Sequence, residues 1–326
     1  MDKKNILRLI MSHVEKNEEE FRETACNIAS ELYCEGDEEL GDYILCQFSN
    51  YYWCVPNIEN FPFFKRCEIK KEPLLLSENI YNEMLGIVNA IKNGNENNKI
   101  LLYGLQGSGK SESAKQIARI LGYNIYQVCY DRVIGSSVSL TVKNIEEVFR
   151  ELNKICNPKD FIILFDDIDY ILMKSTVPTI IEGLKALSRD LTIIATTSDI
   201  SSLPQNLLSV FNKRVSFDRY TKDDLEDIAN RLIHYFFLDY RELQKDEVIF
   251  NKILKLCISL PSPSNIKSII KESLAFSNGK GYLGNIYKRL LNISHIEISV
   301  LKEQGFTIDE MEKITNRGRG DIARLL

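Results

Sequence analysis

KILLYGLQGSGKSESAKQIARILG, residues 99 to 122, carries three patterns in succession. The apolar run Ile100, Leu101, Leu102, Tyr103 predicts a buried strand, and the glycines at 104, 107 and 109 predict a loop. From Ser111 onward, Ala114, Ile117, Ala118 and Leu121 fall at helical spacing. Gly104, then four residues, then Gly109-Lys110-Ser111 satisfies G-x-x-x-x-G-K-[ST], the Walker A spacing. Glycines lack a Cβ, so successive backbone N–H groups can turn inward onto phosphate oxygens at a helix N-terminus. The predicted cradle is Gly104, Gln106, Gly107, Ser108, Gly109, Lys110, Ser111 and Glu112. Lys110 reaches the β- and γ-phosphates in such a loop, and the Ser111 hydroxyl ligates Mg²⁺. A chance glycine turn capping a helix is the alternative, and the strand and helix on either side argue against it.

Outward from this stretch, strands and helices alternate. A helix is expected over residues 77–92, leading through a polar loop into the first strand. A second strand is expected at Asn124 to Tyr130, and a helix at Thr141 to Cys156 with Ile145, Val148, Phe149 and Leu152 on one face. Phe161 to Phe165 is continuously apolar, as for a parallel strand covered on both faces, and it ends in Asp166-Asp167-Ile168-Asp169. A helix from Pro178, a strand at Leu191 to Thr196, a short helix near Leu203 to Phe211 and a strand at Arg214 to Phe217 complete the unit. The expected fold class is α/β, a P-loop NTPase with a five-stranded parallel sheet, preceded by a small helical module and followed by a helical lid.

The expected boundaries are an acidic helical module at 1–50, a linker at 51–75, the nucleotide-binding domain at 76–220, the lid at 221–295 and a helix-turn-helix-like segment at 296–326. The first sixty residues hold an excess of about eight negative charges. The linker is rich in aromatics, among them Tyr51, Tyr52, Trp53, Phe61, Phe63 and Phe64, expected to pack back on the main domain. The last segment opens a short helix with the capping box Thr307/Glu310 and carries Arg317, Arg319 and Arg324, nearly cancelled by Asp309, Glu310, Glu312 and Asp321, a balance that favours a packing helical tail over a DNA-binding segment.

The chain of 326 residues has a net charge of −5 and no obviously basic face, which argues against a large nucleic-acid footprint. No apolar run approaches the ~20 residues of a membrane span, and no signal peptide is evident. The eight cysteines show no C-x-x-C pair, so reduced cysteines of a cytoplasmic protein are expected, a redox cluster from Cys26 to Cys67 being the alternative.

The carboxylates bear on reaction type. Asp166 sits where the Mg²⁺ waters are anchored opposite Ser111, and Asp167 where a hydrolase orients its attacking water. Thr197 and Ser198, past the fourth strand, can put a polar group near the γ-phosphate.

GLQGSGKS, ILFDDID (the Walker B strand), IATTS and the helical lid, in this order, resemble the AAA branch of the AAA+ ATPases. More narrowly, they are similar to small bacterial AAA ATPases with an acidic helical front piece, some encoded beside subtilisin-like peptidases. The resemblance covers nearly the whole chain and implies ATP and Mg²⁺ as cofactors, a homo-oligomeric ring, often a hexamer, and a protein-remodelling activity driven by hydrolysis. Four positions depart from the pattern. Asp167 replaces the family's glutamate, drawing its carboxylate back by about 1.5 Å, one carbon–carbon bond. Ser198 replaces the sensor asparagine, and Ser136-Ser137-Val138-Ser139 replaces the aromatic pore loop. Ser209 and Val210 stand where the arginine finger is common, leaving Arg214 and Lys213 as substitutes.

The resulting expectation is an ATPase with slow or conditional hydrolysis that remodels or signals to a protein partner. The catalytic set is Lys110, Asp167, Ser198 and Arg214, with Ser111 and Asp166 on the metal. The alternatives are a DNA-associated ATPase of the initiator or loader kind, which brings nucleic acid in as a partner, and a nucleotide-locked scaffold without turnover.

Overall fold

The computed structural model describes residues 3–35, 37, 40–41, 43–44, 61–69, 74–94, 98–155, 158–237, 246–277 and 281–326. Helices α1 (Lys3–Val14) and α2 (Glu18–Glu35) form an antiparallel pair, with Arg8 Nε donating to Glu20 Oε1 at 2.9 Å across it. After β1 (Phe64–Arg66) come α3 (Glu78–Lys92), β2 (Lys99–Tyr103), α4 (Lys110–Leu121), β3 (Asn124–Val128) and α5 (Val138–Asn153). Strand β4 (Phe161–Phe165), α6 (Val177–Ala186), β5 (Thr192–Thr197) and β6 (Lys213–Ser216) complete the α/β unit.

The sheet order is β1-β3-β4-β5-β2-β6. The five predicted strands are all present and parallel, and the sheet has a sixth member that the sequence reading placed in a linker. Strand β1 pairs antiparallel with β3, Phe64 opposite Val128. Three residues are too few to show an alternating pattern, and β1 exists because β3 offers it an edge. Phe61 and Phe63 pack against the core beside it, as expected of the linker aromatics, whereas Tyr51, Tyr52 and Trp53 lie outside the described residues.

Strand side chains divide by parity between two cores. Leu101, Ile163, Phe165, Ile193 and Ala195 face α5 and α6, where the Phe149 and Phe165 rings stack at 6.0 Å. Ile100, Leu102, Ile162, Leu164 and Ile194 face α3 and α4, against Ile80, Met84 and Ile117. Burial on both faces explains why these strands read as unbroken apolar runs. Helix α5 begins three residues earlier than its periodicity predicts because the Ser137 side chain caps it, accepting from Leu140 N–H at 3.2 Å. Part of the serine-rich stretch in the pore-loop position is therefore helix.

Helices α7 (Lys222–Phe237), α8 (Glu247–Leu256), α9 (Pro263–Ser277) and α10 (Tyr282–Leu290) form the lid. Thr221 and Asp224 cap α7 reciprocally, the Asp224 carboxylate accepting from Thr221 N–H at 2.9 Å and Thr221 Oγ1 from Asp224 N–H at 3.1 Å. Helices α11 (Ile298–Glu303), α12 (Ile308–Thr315) and α13 (Arg319–Leu325) follow, with the predicted Thr307/Glu310 capping box present. Leu301, Phe306, Met311, Ile314 and Ile322 are buried in the same apolar cluster as Ile228, Phe250, Ile270 and Ile286 of the lid. Lys252 also pairs with Glu310 at 2.7 Å, and Lys313 pairs with Asp246. The last helices are thus packed into the lid.

Candidate functional site: a phosphate loop under a helical lid

Parallel strands bring their C-terminal ends to one edge, and here Tyr103 lies level with Thr197, and Phe165 with Ala195. The loop after β2, the carboxylates after β4 and the hydroxyls at the end of β5 therefore meet. Left-handed or extended-positive backbone at Gly104 (φ 137°), Gly107 (φ 78°) and Gly109 (φ 104°) lets the loop fold over the start of α4.

Lys110 is 6% exposed, and its ammonium donates to the carbonyls of Gly104 (2.5 Å) and Leu105 (2.9 Å). Burial lowers its pKa, against the raising influence of Asp167, Asp218, Asp166 and Asp169. The Ser111 hydroxyl donates to Asp166 Oδ1 at 2.5 Å, and Thr196 Oγ1 donates to the same oxygen at 2.8 Å. Thr196 in turn accepts from the Asp167 N–H at 2.7 Å, so one threonine fixes both acids. Asp167 has left-handed backbone, φ 50°. Asp and Asn tolerate that conformation better than longer side chains, which gives a local reason for aspartate where the family carries glutamate. Burial raises the Asp167 pKa, Asp166 raises it further, and Lys110 opposes them. Asp169 does more than cap the next turn, since it accepts from the Thr197 hydroxyl at 2.8 Å and from Ser198 N–H at 3.4 Å.

A cavity of about 510 Å³ lies between this loop and the lid. Gln106, Gly107, Ser108, Gly109, Lys110, Ser111, Glu112 and Asp167 line one side. Leu74 and Leu75, Ile228 and Leu232 of α7, and Ser264, Lys267 and Lys271 of α9 line the other. The lid touches the loop directly, Ser264 N–H donating to Gly107 O at 3.1 Å, and just ahead of the lid the Tyr220 hydroxyl donates to Ser108 O at 2.9 Å.

Of the predicted site residues, Gly104 lies outside the cavity lining, where its backbone approaches Asp218; a Cβ there would sit 2.8 Å from Asp218 Oδ1. Ser198 is exposed and joins Asp169 through its backbone only. Arg214 is exposed on edge strand β6, level with Leu101, away from its own chain's cavity.

Five residues were not singled out from sequence. Thr196 was visible only as part of IATTS. Asp218 anchors the loop by accepting from Leu105 N–H at 2.6 Å. Lys267 and Lys271 are one helical turn apart on α9, a spacing that shows a common face but not what the face covers. The Tyr130 hydroxyl is buried without a hydrogen-bond partner, and burial, then Asp166, Asp167 and Asp169, push its pKa well up.

The donor set suits magnesium. A hydroxyl and a carboxylate already in contact are hard oxygen ligands, and Mg²⁺ is commonly held by one or two carboxylates plus substrate phosphates. Among the described residues no larger His/Cys/Asp/Glu cluster competes for a metal. Cys67, Cys129 and Cys257 are free thiols, and no described helix is long and apolar enough to cross a membrane.

A mostly parallel sheet with a phosphate loop after one strand and paired acids after another defines a P-loop nucleotide-binding protein. Residues 100–219 match the model of the ATPase family associated with various cellular activities, and this stretch is an AAA-family ATPase domain. The chain is 25% identical over 219 residues to ORC1-type DNA replication protein 1 of Sulfurisphaera tokodaii, covering 58% of this chain and 53% of that protein. It is 32% identical over 99 residues to the uncharacterized protein ORF529 of Acidianus two-tailed virus, covering 30% of this chain and 18% of that protein. The matches thus span about half of one curated relative and under a fifth of the other. Among solved structures, the FIGL-1 AAA domain in complex with ADP is 15% identical with a TM-score of 0.49, covering 67% of this chain and 77% of that one. A single-substitution variant of Thermotoga maritima RuvB is 16% identical with a TM-score of 0.48, covering 76% and 84%.

Proposed function

We propose that this chain binds Mg·ATP between the loop at 104–112 and the lid, hydrolyses it slowly or conditionally, and assembles into a homo-oligomeric ring in the cytoplasm. In this reading it remodels, or passes a nucleotide signal to, a protein partner engaged by the acidic helical front, as in its bacterial look-alikes. A subtilisin-like peptidase is the first partner to test. The observation that carries the nucleotide part is a single one: Gln106 to Glu112 and Asp167 line the same cavity as Ser264, Lys267 and Lys271 of the lid.

The roles follow from position. Lys110 exchanges its carbonyl partners for phosphate oxygens, and the loop N–H groups cradle the same charge. Ser111 and Asp166 hold the metal, which supplies charge neutralisation across the phosphates. Asp167 orients water. Ser198 reports on the terminal phosphate through Asp169, and Arg214 serves a neighbouring subunit's site. Asp167, drawn back by one carbon–carbon bond, is the reason to expect a low basal rate, since about 1 Å of misplacement costs roughly a hundredfold.

A second reading, a DNA-associated ATPase of the initiator or loader kind, is favoured by the ORC1-type match over 219 residues. Turnover per subunit measured across protein concentrations, beside sedimentation with and without ATP, tests the ring. A rate that climbs as assemblies form supports it. A concentration-independent rate near zero with ATP bound leaves the scaffold reading, and absence of ATP binding refutes the proposal.

A further inference from the structure

Gly284 of α10 packs against the end of α12 so closely that a Cβ there would lie 2.2 Å from Ile314 O. This crossing leaves a cleft of about 440 Å³ beside it, sharing no lining residue with the nucleotide cavity. Asn285 and Lys288, one and four residues past Gly284, form one wall. Thr315, Asn316 in left-handed backbone (φ 56°) and Arg317 form the other, and His295 comes from the connection after α10.

The lining contains Lys288, His295 and Arg317 and no carboxylate. Surrounding cations are already paired: Arg319 with Glu312 (3.0 Å) and Asp309 (3.2 Å), Lys313 with Asp246, Arg289 with Glu272. Among the described residues no ion pair within 4.0 Å involves Lys288, His295 or Arg317. In a chain of net charge −5 this is a local reversal of sign. Asn285, Thr315 and Asn316 add amide and hydroxyl groups around it, a donor set that suits a phosphate group's several oxygens better than a carboxylate's two. His295, Asn316 and Arg317 of the lining are exposed, which leaves the cleft open to a polymer.

The geometry points to a binding site for the sugar-phosphate backbone of a nucleic acid strand in the cleft of Lys288, His295 and Arg317, independent of nucleotide hydrolysis. The test uses the full chain with a fluorescent 20-nucleotide duplex and the matching single strand, at rising salt. Lys288→Glu with Arg317→Glu is expected to weaken binding at least tenfold and to flatten the log affinity against log salt slope by about two, one per lost phosphate contact. Arg319→Gln, at an already paired site, changes affinity less than twofold. Unchanged ATP binding shows that the double variant is folded. The inference is overturned if the parent fails to bind either strand form in 50 mM salt, or if the double variant keeps its affinity and slope. It is equally overturned if only inorganic phosphate or a phosphopeptide binds.

Discussion

Ser111 and Asp166 meet hydroxyl to carboxylate at 2.5 Å, joining the first turn of the helix behind the phosphate loop to the tip of the central strand. Both are the proposed metal ligands, and each here satisfies the other. Asp166→Ala is expected to erase the magnesium-dependent part of ATP affinity while leaving affinity in EDTA within a few-fold of the parent. Titrations of labelled ATP with magnesium and with chelator check this.

In its proposed role Asp167 orients water as an ionised carboxylate, and burial together with Asp166 raises its pKa above the ordinary 3.8. A base with a raised pKa loses its charge earlier as pH falls, so the acid limb of turnover should lie above 3.8. Asp167→Asn should remove turnover and retain bound ATP. Asp167→Glu should raise turnover about tenfold or more, at a stability cost of roughly 1 kcal/mol for placing glutamate in left-handed backbone. Single-turnover pH profiles and melting curves of the three proteins decide it.

Gly107 sits where the lid rests on the loop. Its φ is +78°, and a Cβ would lie 2.7 Å from Ser262 Oγ and 3.2 Å from Ser264 Cβ. Gly107→Ala should therefore push α9 off the loop and weaken ATP binding by tenfold or more. Gly94→Ala has a similar φ of +66° with nothing within 4 Å, and it should leave affinity unchanged. Equal losses in the two variants would count against lid contact.

Glu151 offers a stability test away from the site. It is buried on α5 with Oε2 lacking a partner, and burial, reinforced by Glu147, raises its pKa to about 7 against Arg150 and Lys154. The folded state thus holds its proton more tightly than the unfolded chain, so this group's contribution to stability is fully present below pH 4.5 and is lost as pH rises through about 7. Glu151→Gln should gain roughly 1–2 kcal/mol above that range and nothing at the acid end. Urea midpoints at the two pH extremes measure the difference.

The sheet and the phosphate loop were legible because burial on both faces writes a strand as an apolar run, and because the loop's chemistry needs glycines at fixed spacing. The acids at 166 and 167 were legible as the end of such a run. What escaped depended on contacts distant in sequence. Phe64–Arg66 becomes a strand only beside β3. Lys267 and Lys271 gain meaning only when α9 folds over the loop, and Asp218 only when β6 lies beside β2. The Ser137 cap was written in the residues but hidden by the weak periodicity of a serine-rich stretch. The C-terminal helices were found at their positions, and their nearly cancelling charges favoured a packing helical tail, in line with their burial in the lid core; which lid residues they meet was not readable.

The proposed nucleotide-driven function turns on a triphosphate held by Lys110. Calorimetric titration of ATP with magnesium into the parent and into Lys110→Ala measures this directly. A single site per subunit in the parent, weakened at least a hundredfold in a variant that remains folded, is the predicted result. Equal affinity in the two proteins would contradict the account.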